Sequence, residues 1–184
     1  MQRYLFYSAT SDIWKVERLK LPADYHVKIW VPKILSMAPR ELMSPTFFVW
    51  WLFHWLKVFK NPCYKIYLVY TKDNLLAHYS VLLPAHFRFP FMHRSDLQIG
   101  PVGTNERHRR QGLAHYVINS ILKEHENTTV RLWYVTREEN EASKKLIEGA
   151  NFSKIGEGEK IINKYNRLFS YFDIEHHCCS KMTS

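Results

Sequence analysis

Between residues 97 and 119 the chain carries Arg109-Arg110-Gln111-Gly112-Leu113-Ala114, two guanidinium groups followed by a glycine and a small alanine at Arg-x-x-Gly-x-Ala spacing. A helix that starts at this turn leaves its first backbone N–H groups without intrahelical acceptors. The positive end of the helix dipole, the two arginines and a backbone made approachable by Gly112 and Ala114 then suit a diphosphate.

That turn needs a strand before it and a helix after it. Residues 97–104 supply the strand, with Leu97, Ile99 and Val102 apolar and Gly100-Pro101 interrupting it. A residue without an N–H cannot serve a continuous ladder, so Pro101 marks an edge or a bulge. The helix is expected over residues 111–125, with Leu113, Val117, Ile121 and Leu122 on its core side. Further on, Asn140-Glu141-Ala142-Ser143 can open another helix, with Asn140 as its cap, although Thr136 and Glu139 could instead form a capping box.

These two motifs together resemble the GNAT superfamily of N-acetyltransferases, which carries Gln/Arg-x-x-Gly-x-Gly/Ala between its fourth strand and the next helix and Asn-x-x-Ala/Ser at the helix after the fifth. The resemblance covers residues 64–152 well and the flanks by length and pattern. It implies an α/β fold: a mixed, mostly antiparallel central sheet of about six or seven strands flanked by helices, with the fourth and fifth strands splayed apart to admit the pantetheine arm of acetyl-CoA.

Composition sets the outer bounds. The 184 residues fit a single domain over 1–184, with 173–184 as a polar tail. A net charge of +9, from 26 Lys+Arg against 17 Asp+Glu, favours polyanionic partners without choosing among them. Three cysteines give no disulfide framework, and the first residues lack a secretory pattern, so a cytoplasmic location is expected. The apolar run 46–59 is interrupted by His54 and Lys57 and is too short to span a bilayer. The contiguous His176-His177-Cys178-Cys179 cannot readily wrap one tetrahedral ion, so no metal is expected.

In chain order, residues 3–8 read as a strand, followed by Ser11-Asp12 as a helix cap. Residues 24–59 read as one or two helices punctuated by Pro32, Pro39 and Pro45, ending at Asn61-Pro62. Residues 64–71 and 75–83 form a hairpin turned at Asp73-Asn74, with Ile66, Leu68 and Tyr70 on one face. The loop 84–95, rich in aromatic and basic residues, is long enough to pass near an active site. Residues 130–135 are a buried strand, Ala142, Leu146 and Ala150 line a core-facing stripe, Asn151 closes that helix in a left-handed conformation, and 152–155 and 160–172 are two last strands.

The resemblance assigns roles by position. Val102 and Thr104 pair with pantetheine, Arg109, Arg110, Gln111, Gly112, Leu113 and Ala114 hold the diphosphate, and Asn140 and Ser143 lie beside the arm. Many relatives place a carboxylate base on the fourth strand; Gln98 stands there and is expected to touch the acceptor. Asp96, two residues earlier on the same face, and His78 on the preceding strand, with its near-neutral intrinsic pKa, are the candidate bases. The tyrosine acid expected seven residues after Asn140 is replaced by Ile147, leaving Tyr134 as the substitute. Trp50, Trp51 and Trp55 are either the wall of an acceptor pocket, with Trp51 and Trp55 as contacts, or core and a homodimer interface.

The expected activity is acetyl transfer from acetyl-CoA to a small primary amine by direct attack in a ternary complex, with an amino sugar or nucleotide-linked amino sugar as acceptor. A protein or peptide amine is the second reading. A non-catalytic acyl-CoA- or nucleic-acid-binding module is the third; no nucleic-acid motif supports it.

Overall fold

Alternating apolar residues build one eight-stranded sheet, seen in a computed structural model that describes residues 2–10, 19–162 and 170–176. The strands are β1 (Arg3–Ala9), β2 (Tyr25–Trp30), β3 (Lys65–Thr71), β4 (Leu76–Pro84), β5 (Leu97–Thr104), β6 (Leu132–Arg137), β7 (Ser153–Ile161) and β8 (Tyr171–His176). Their spatial order is β2-β3-β4-β5-β6-β1-β7-β8. Every neighbouring pair is antiparallel except β5 and β6.

That parallel pair is the weak seam. It is paired only at Leu97 with Leu132, Gln98 with Trp133 and Ile99 with Tyr134, after which the strands part. The cause is local to β5. Its register against β4 slips by one residue, from Ile99 opposite Leu82 to Val102 opposite Ser80, so Gly100-Pro101 forms a bulge. Gly100 takes φ +138°, a conformation that suits a residue without Cβ. The sequence-derived splay of the family's fourth and fifth strands is therefore present, between β5 and β6.

Among the described residues three α-helices cover the sheet. α2 (Leu113–Glu124) and α3 (Glu141–Gly149) lie on one face, where Leu113, Val117, Ile118, Ile121 and Leu122 pack with Leu5, Tyr7, Val69, Leu82, Leu97, Ile99 and Leu132. Each such aliphatic side chain, fully withdrawn from water, contributes about 1.5–3 kcal/mol. α1 (Pro45–Trp55) covers the other face of the β2–β4 half, with Phe47 and Trp50 against Ile66, Leu68, Tyr70, Val81 and Leu83. On that same face the second half-sheet is covered by the loop after β4, whose Ala85, Phe89 and Met92 pack on Trp133, Val135 and Phe172. Among the described residues no helix is long and apolar enough to cross a membrane.

Several expectations need correction. Residues 24–59 hold the strand β2, a short 3-10 turn at Arg40–Leu42 and one α-helix, so the expected helix is there but a strand precedes it. In Tyr25–Trp30, Tyr25, Val27 and Ile29 alternate with His26, Lys28 and Trp30, sending Tyr25 and Val27 toward the α2 side and Trp30 toward the α1 side, a period-2 pattern that pairs with β3. This strand takes the count to eight. α1 stops at Trp55 rather than at Asn61-Pro62, because Lys57 turns left-handed at φ 56° and the N–H of Val58 reaches back to the Phe53 carbonyl at 2.9 Å. In α3 Leu146 and Ala150 of the expected stripe do pack on the core, but Ala142 is exposed and the fully buried residue is Ile147. The last strands are Ser153–Ile161 and Tyr171–His176, which puts 173–176 in the sheet rather than in a tail.

Other expectations hold. Asn74 makes the hairpin turn at φ 58°, Pro45 opens α1, and Asn151 closes α3 at φ 61°. Ser11-Asp12 and residues 177–179 lie outside the described residues.

β7 and β8 approach unusually closely. A Cβ built at Gly158 falls 1.9 Å from the Asp173 carbonyl, and one at Gly156 falls 2.6 Å from that of Glu175. Gly158→Ala is therefore expected to force β8 outward and cost about 1–3 kcal/mol in urea denaturation; an unchanged midpoint would contradict this close packing.

Candidate active site

The turn before α2 is built from two left-handed residues. Arg110 lies at φ 61° and Gly112, the residue preceding the helix, at φ 72°. A non-glycine residue held there costs on the order of 1–3 kcal/mol, so neighbouring contacts must fix it. They come from β2. The Tyr25 hydroxyl donates to Gln111 Oε1 at 2.7 Å and lies 2.9 Å from His108 Nδ1. Because the single phenolic proton goes to Gln111, His108 Nδ1–H is the donor in the second bond.

Alternating left-handed and right-handed residues turn successive N–H groups into one concavity. The backbone N–H groups of Arg110, Gln111, Gly112, Leu113, Ala114 and His115 have no acceptor among the described residues. They border a cavity of about 870 Å³ between α2, α3 and the free edge of β5. Nothing stands within 4 Å of a Cβ built at Gly112, so the space over the turn is open.

The bulge in β5 has a second effect. Asn105 N–H donates to the Ala77 carbonyl at 2.9 Å, toward β4, and Ala85 N–H donates to the carbonyl of Asp96, also on the β4 side. In an antiparallel ladder the backbone groups alternate sides, so beyond the bulge Gly103 faces β4, while Val102 and Thr104 turn theirs into the gap beside β6. All ten residues expected to hold the cofactor, Val102, Thr104, Arg109, Arg110, Gln111, Gly112, Leu113, Ala114, Asn140 and Ser143, border this one cavity.

A second cavity, of about 730 Å³, opens on the α1 face of the sheet and includes Trp50, Arg88, Gln98 and Phe172 in its walls. The two cavities share Val102, Tyr134, Asn140 and Ser143, the residues at the mouth of the splay. Tyr134 is buried, and its hydroxyl donates to Ser143 Oγ at a long 3.4 Å. Burial raises its pKa, so the phenol is protonated at neutral pH. Asn140 Oδ1 accepts the Ser143 N–H at 3.1 Å and so caps α3, as one of the two sequence readings has it.

The other candidates stand elsewhere. Asp96 is 5% exposed and borders neither cavity; its Oδ2 accepts the His93 N–H and the Trp133 indole N–H, each at 2.9 Å, which makes it an anchor for the loop. It does share a face with Gln98, but one strand step farther from the gap. His78 is also enclosed, with Nδ1 at 2.7 Å from Thr104 Oγ1 and Nε2 at 2.8 Å from Ser80 Oγ. Desolvation lowers its pKa to about 4, and it borders neither cavity. Trp51 and Trp55 also stay away: Trp51 donates to the Lys33 carbonyl at 2.8 Å and stacks on Phe48, and Trp55 is 43% exposed. The tryptophan in the cavity wall is Trp50, because a helix turns neighbouring positions about 100° apart. Sequence reading missed Tyr25, hidden by the misread strand, and placed the loop carrying Arg88 and Phe89 near the site without singling out either residue. Among the described residues no three or more His, Cys, Asp or Glu side chains converge on a metal position.

A model of the Acetyltransferase (GNAT) family matches residues 33–152, well over half of the chain. The chain belongs to that family. No curated protein matches it. Among solved structures it is similar to a Drosophila protein (13% identity, TM-score 0.57, 83% of this chain and 48% of that one). It is also similar to a tandem GNAT protein from the clavulanic acid biosynthesis pathway (12%, 0.57, 84% and 50%) and to a GCN5-related N-acetyltransferase from Sphaerobacter thermophilus (15%, 0.54, 85% and 49%). The chain thus spans about half the length of these structures, and at such identities the likeness is one of fold. For this GNAT chain the splay and the α2 turn are the family features that the geometry displays.

Two histidines give the GNAT fold a pH signature. His78 and His86 are buried, and desolvation lowers both pKa values to about 4; for His86 the nearby Arg88 adds to the lowering, against the bond of Nδ1 to the Pro84 carbonyl. Unfolded, each binds a proton near pH 6.5, so between about 6.5 and 4 the unfolded chain holds more protons. Stability is full above that window and falls as pH drops through it. In His78→Gln, the stability gap to the wild type is expected to narrow by about 2–3 kcal/mol between pH 7 and pH 4.5 in urea denaturation; a pH-independent gap would contradict a neutral buried imidazole.

Proposed function

We propose that the protein is an acetyl-CoA-dependent N-acetyltransferase whose acceptor is a small primary amine, the two substrates meeting beside Tyr134. The observation that carries this reading is the junction of the two cavities at Val102, Tyr134, Asn140 and Ser143, with unpaired main-chain donors on the α2 side.

The residues fit the coenzyme. The N–H groups from Arg110 to Ala114 hold its diphosphate, Arg109 and Arg110 add charge at the rim, and the free groups of Val102 and Thr104 pair with the pantetheine amides. Acetyl-CoA supplies an activated thioester: the amine nitrogen bonds to its carbonyl carbon, the carbon–sulfur bond breaks, and the sulfur leaves with the bonding pair. The protonated Tyr134 hydroxyl gives that sulfur its proton. The proton lost by nitrogen passes to solvent through the acceptor cavity, since Asp96 and His78 are both tied up away from it, and the Tyr134 phenolate regains a proton from the same solvent.

The acceptor side favours a small molecule over a peptide. Its cavity is walled by Trp50, Phe89 and Phe172, which suit the faces of a ring, so an amino sugar or nucleotide-linked amino sugar is the acceptor class we propose.

Calorimetry with acetyl-CoA, followed by turnover on a panel of amines, tests the reading. Gly112→Ala places a side chain in the cradle at a left-handed position; it is expected to cost about 1–2 kcal/mol of stability and to weaken acetyl-CoA binding at least tenfold. Tyr134→Phe is expected to lower kcat about 100-fold with little change in acetyl-CoA binding. No heat of binding with acetyl-CoA, or acetylation confined to peptide lysines, would overturn the proposal.

A further inference from the structure

The acceptor cavity contains two polar groups that the fold leaves without partners. Arg88, half-buried in the loop after β4, has its Nε out of contact with solvent and with no hydrogen-bond acceptor. Among the described residues it makes no ion pair, although the backbone around it is fixed: the Arg88 carbonyl accepts the Phe172 N–H at 2.9 Å. Gln98, 7% exposed, lines the same cavity; its Oε1 is buried with no donor, and its Nε2 has only a 3.5 Å contact with the Ile99 carbonyl.

The surroundings do not neutralise Arg88. Burial lowers its pKa. Burial lowers those of His86 and of Lys160 on β7 as well, and the charge of Arg88 adds to the lowering at both, so these two neighbours are basic groups that do not balance it. The one acid bordering the cavity among the described residues, Glu139, lies 3.9 Å from Arg137 and accepts from Gln2 Nε2 at 3.1 Å. A guanidinium whose Nε is buried without an acceptor, and a buried amide oxygen without a donor, are each costly unless a ligand or an ordered water completes them.

We propose that Arg88 and Gln98 are the specificity residues for an acceptor that carries an oxyanion as well as its amine. The carboxylate or phosphate of the acceptor binds the planar Arg88 fork, and Gln98 Oε1 receives an N–H of the amine end, which orients the nitrogen toward Tyr134. Trp50, Phe89 and Phe172 enclose the body between them. This site rests on the acetyltransferase reading for its amine, but not for its anion.

The test uses the full chain and matched amines that differ by one oxyanion: glucosamine against glucosamine 6-phosphate for phosphate, and tyramine against tyrosine for carboxylate. Binding is measured by calorimetry with coenzyme A present, and acetylation by kcat/KM. The wild type is expected to favour the anionic member of at least one pair by about tenfold or more, with the favoured pair identifying the anion. Arg88→Ala removes the preference, mainly through KM, and Arg88→Lys keeps part of it. Gln98→Leu weakens both members of the pair alike, because they share the amine. Acetyl-CoA binding by these variants reports that they are folded. Equal binding of both members by the wild type, or a preference that survives Arg88→Ala, would overturn the proposal. If acetyl-CoA itself fails to bind, the acetyltransferase reading falls, while binding of the anionic amines alone still decides the Arg88 site.

Discussion

The interrupted ladder between β5 and β6 is the constraint on which the rest depends. Three residue pairs join the two half-sheets, and a one-residue bulge at Gly100-Pro101 then turns the backbone of Val102 and Thr104 into an open seam. Unpaired main-chain groups inside a protein are costly, so such a seam persists only where something else can satisfy them. On one side it meets the turn before α2, where another set of N–H groups lacks acceptors. On the other it meets the aromatic-walled cavity. The bulge thus creates a passage through the sheet, and Tyr134 stands in it.

The packing explains why the passage stays open. α2 and α3 seal one face of the sheet with a continuous aliphatic core, whereas the opposite face is covered in two parts, by α1 over β2–β4 and by the loop after β4 over the other half. The second cavity lies where those covers meet, with Trp50 from one and Arg88 and Phe89 from the other. The loop is anchored by Asp96, which holds His93 and Trp133. A residue that alternation places on the right face can therefore serve the site indirectly, by holding the wall.

How much of this was legible in the sequence follows from the range of the interactions involved. The strand-turn-helix at 97–124 was readable because its determinants are local: period-2 and then helical spacing, a proline that breaks a ladder, and a glycine that permits a left-handed turn. The cofactor-side residues came with that motif and the family resemblance, and they do border one cavity. β2 was misread because prolines at 32, 39 and 45 suggested broken helices, while six alternating residues gave a weaker signal. The acceptor side was largely illegible. Whether Trp50 or Trp51 faces the cavity depends on the roll of α1 against the sheet, and whether Asp96 is free depends on Trp133, 37 residues away.

The central claim is that the donors of the α2 turn and of β5 beyond its bulge form one binding surface. Backbone amide NMR during titration with coenzyme A tests it most directly. The account predicts large shifts, with slowed hydrogen exchange, at Val102, Thr104 and Arg110 through Ala114. Saturable binding that leaves those amides unmoved, or shifts confined to another face of the sheet, would contradict it.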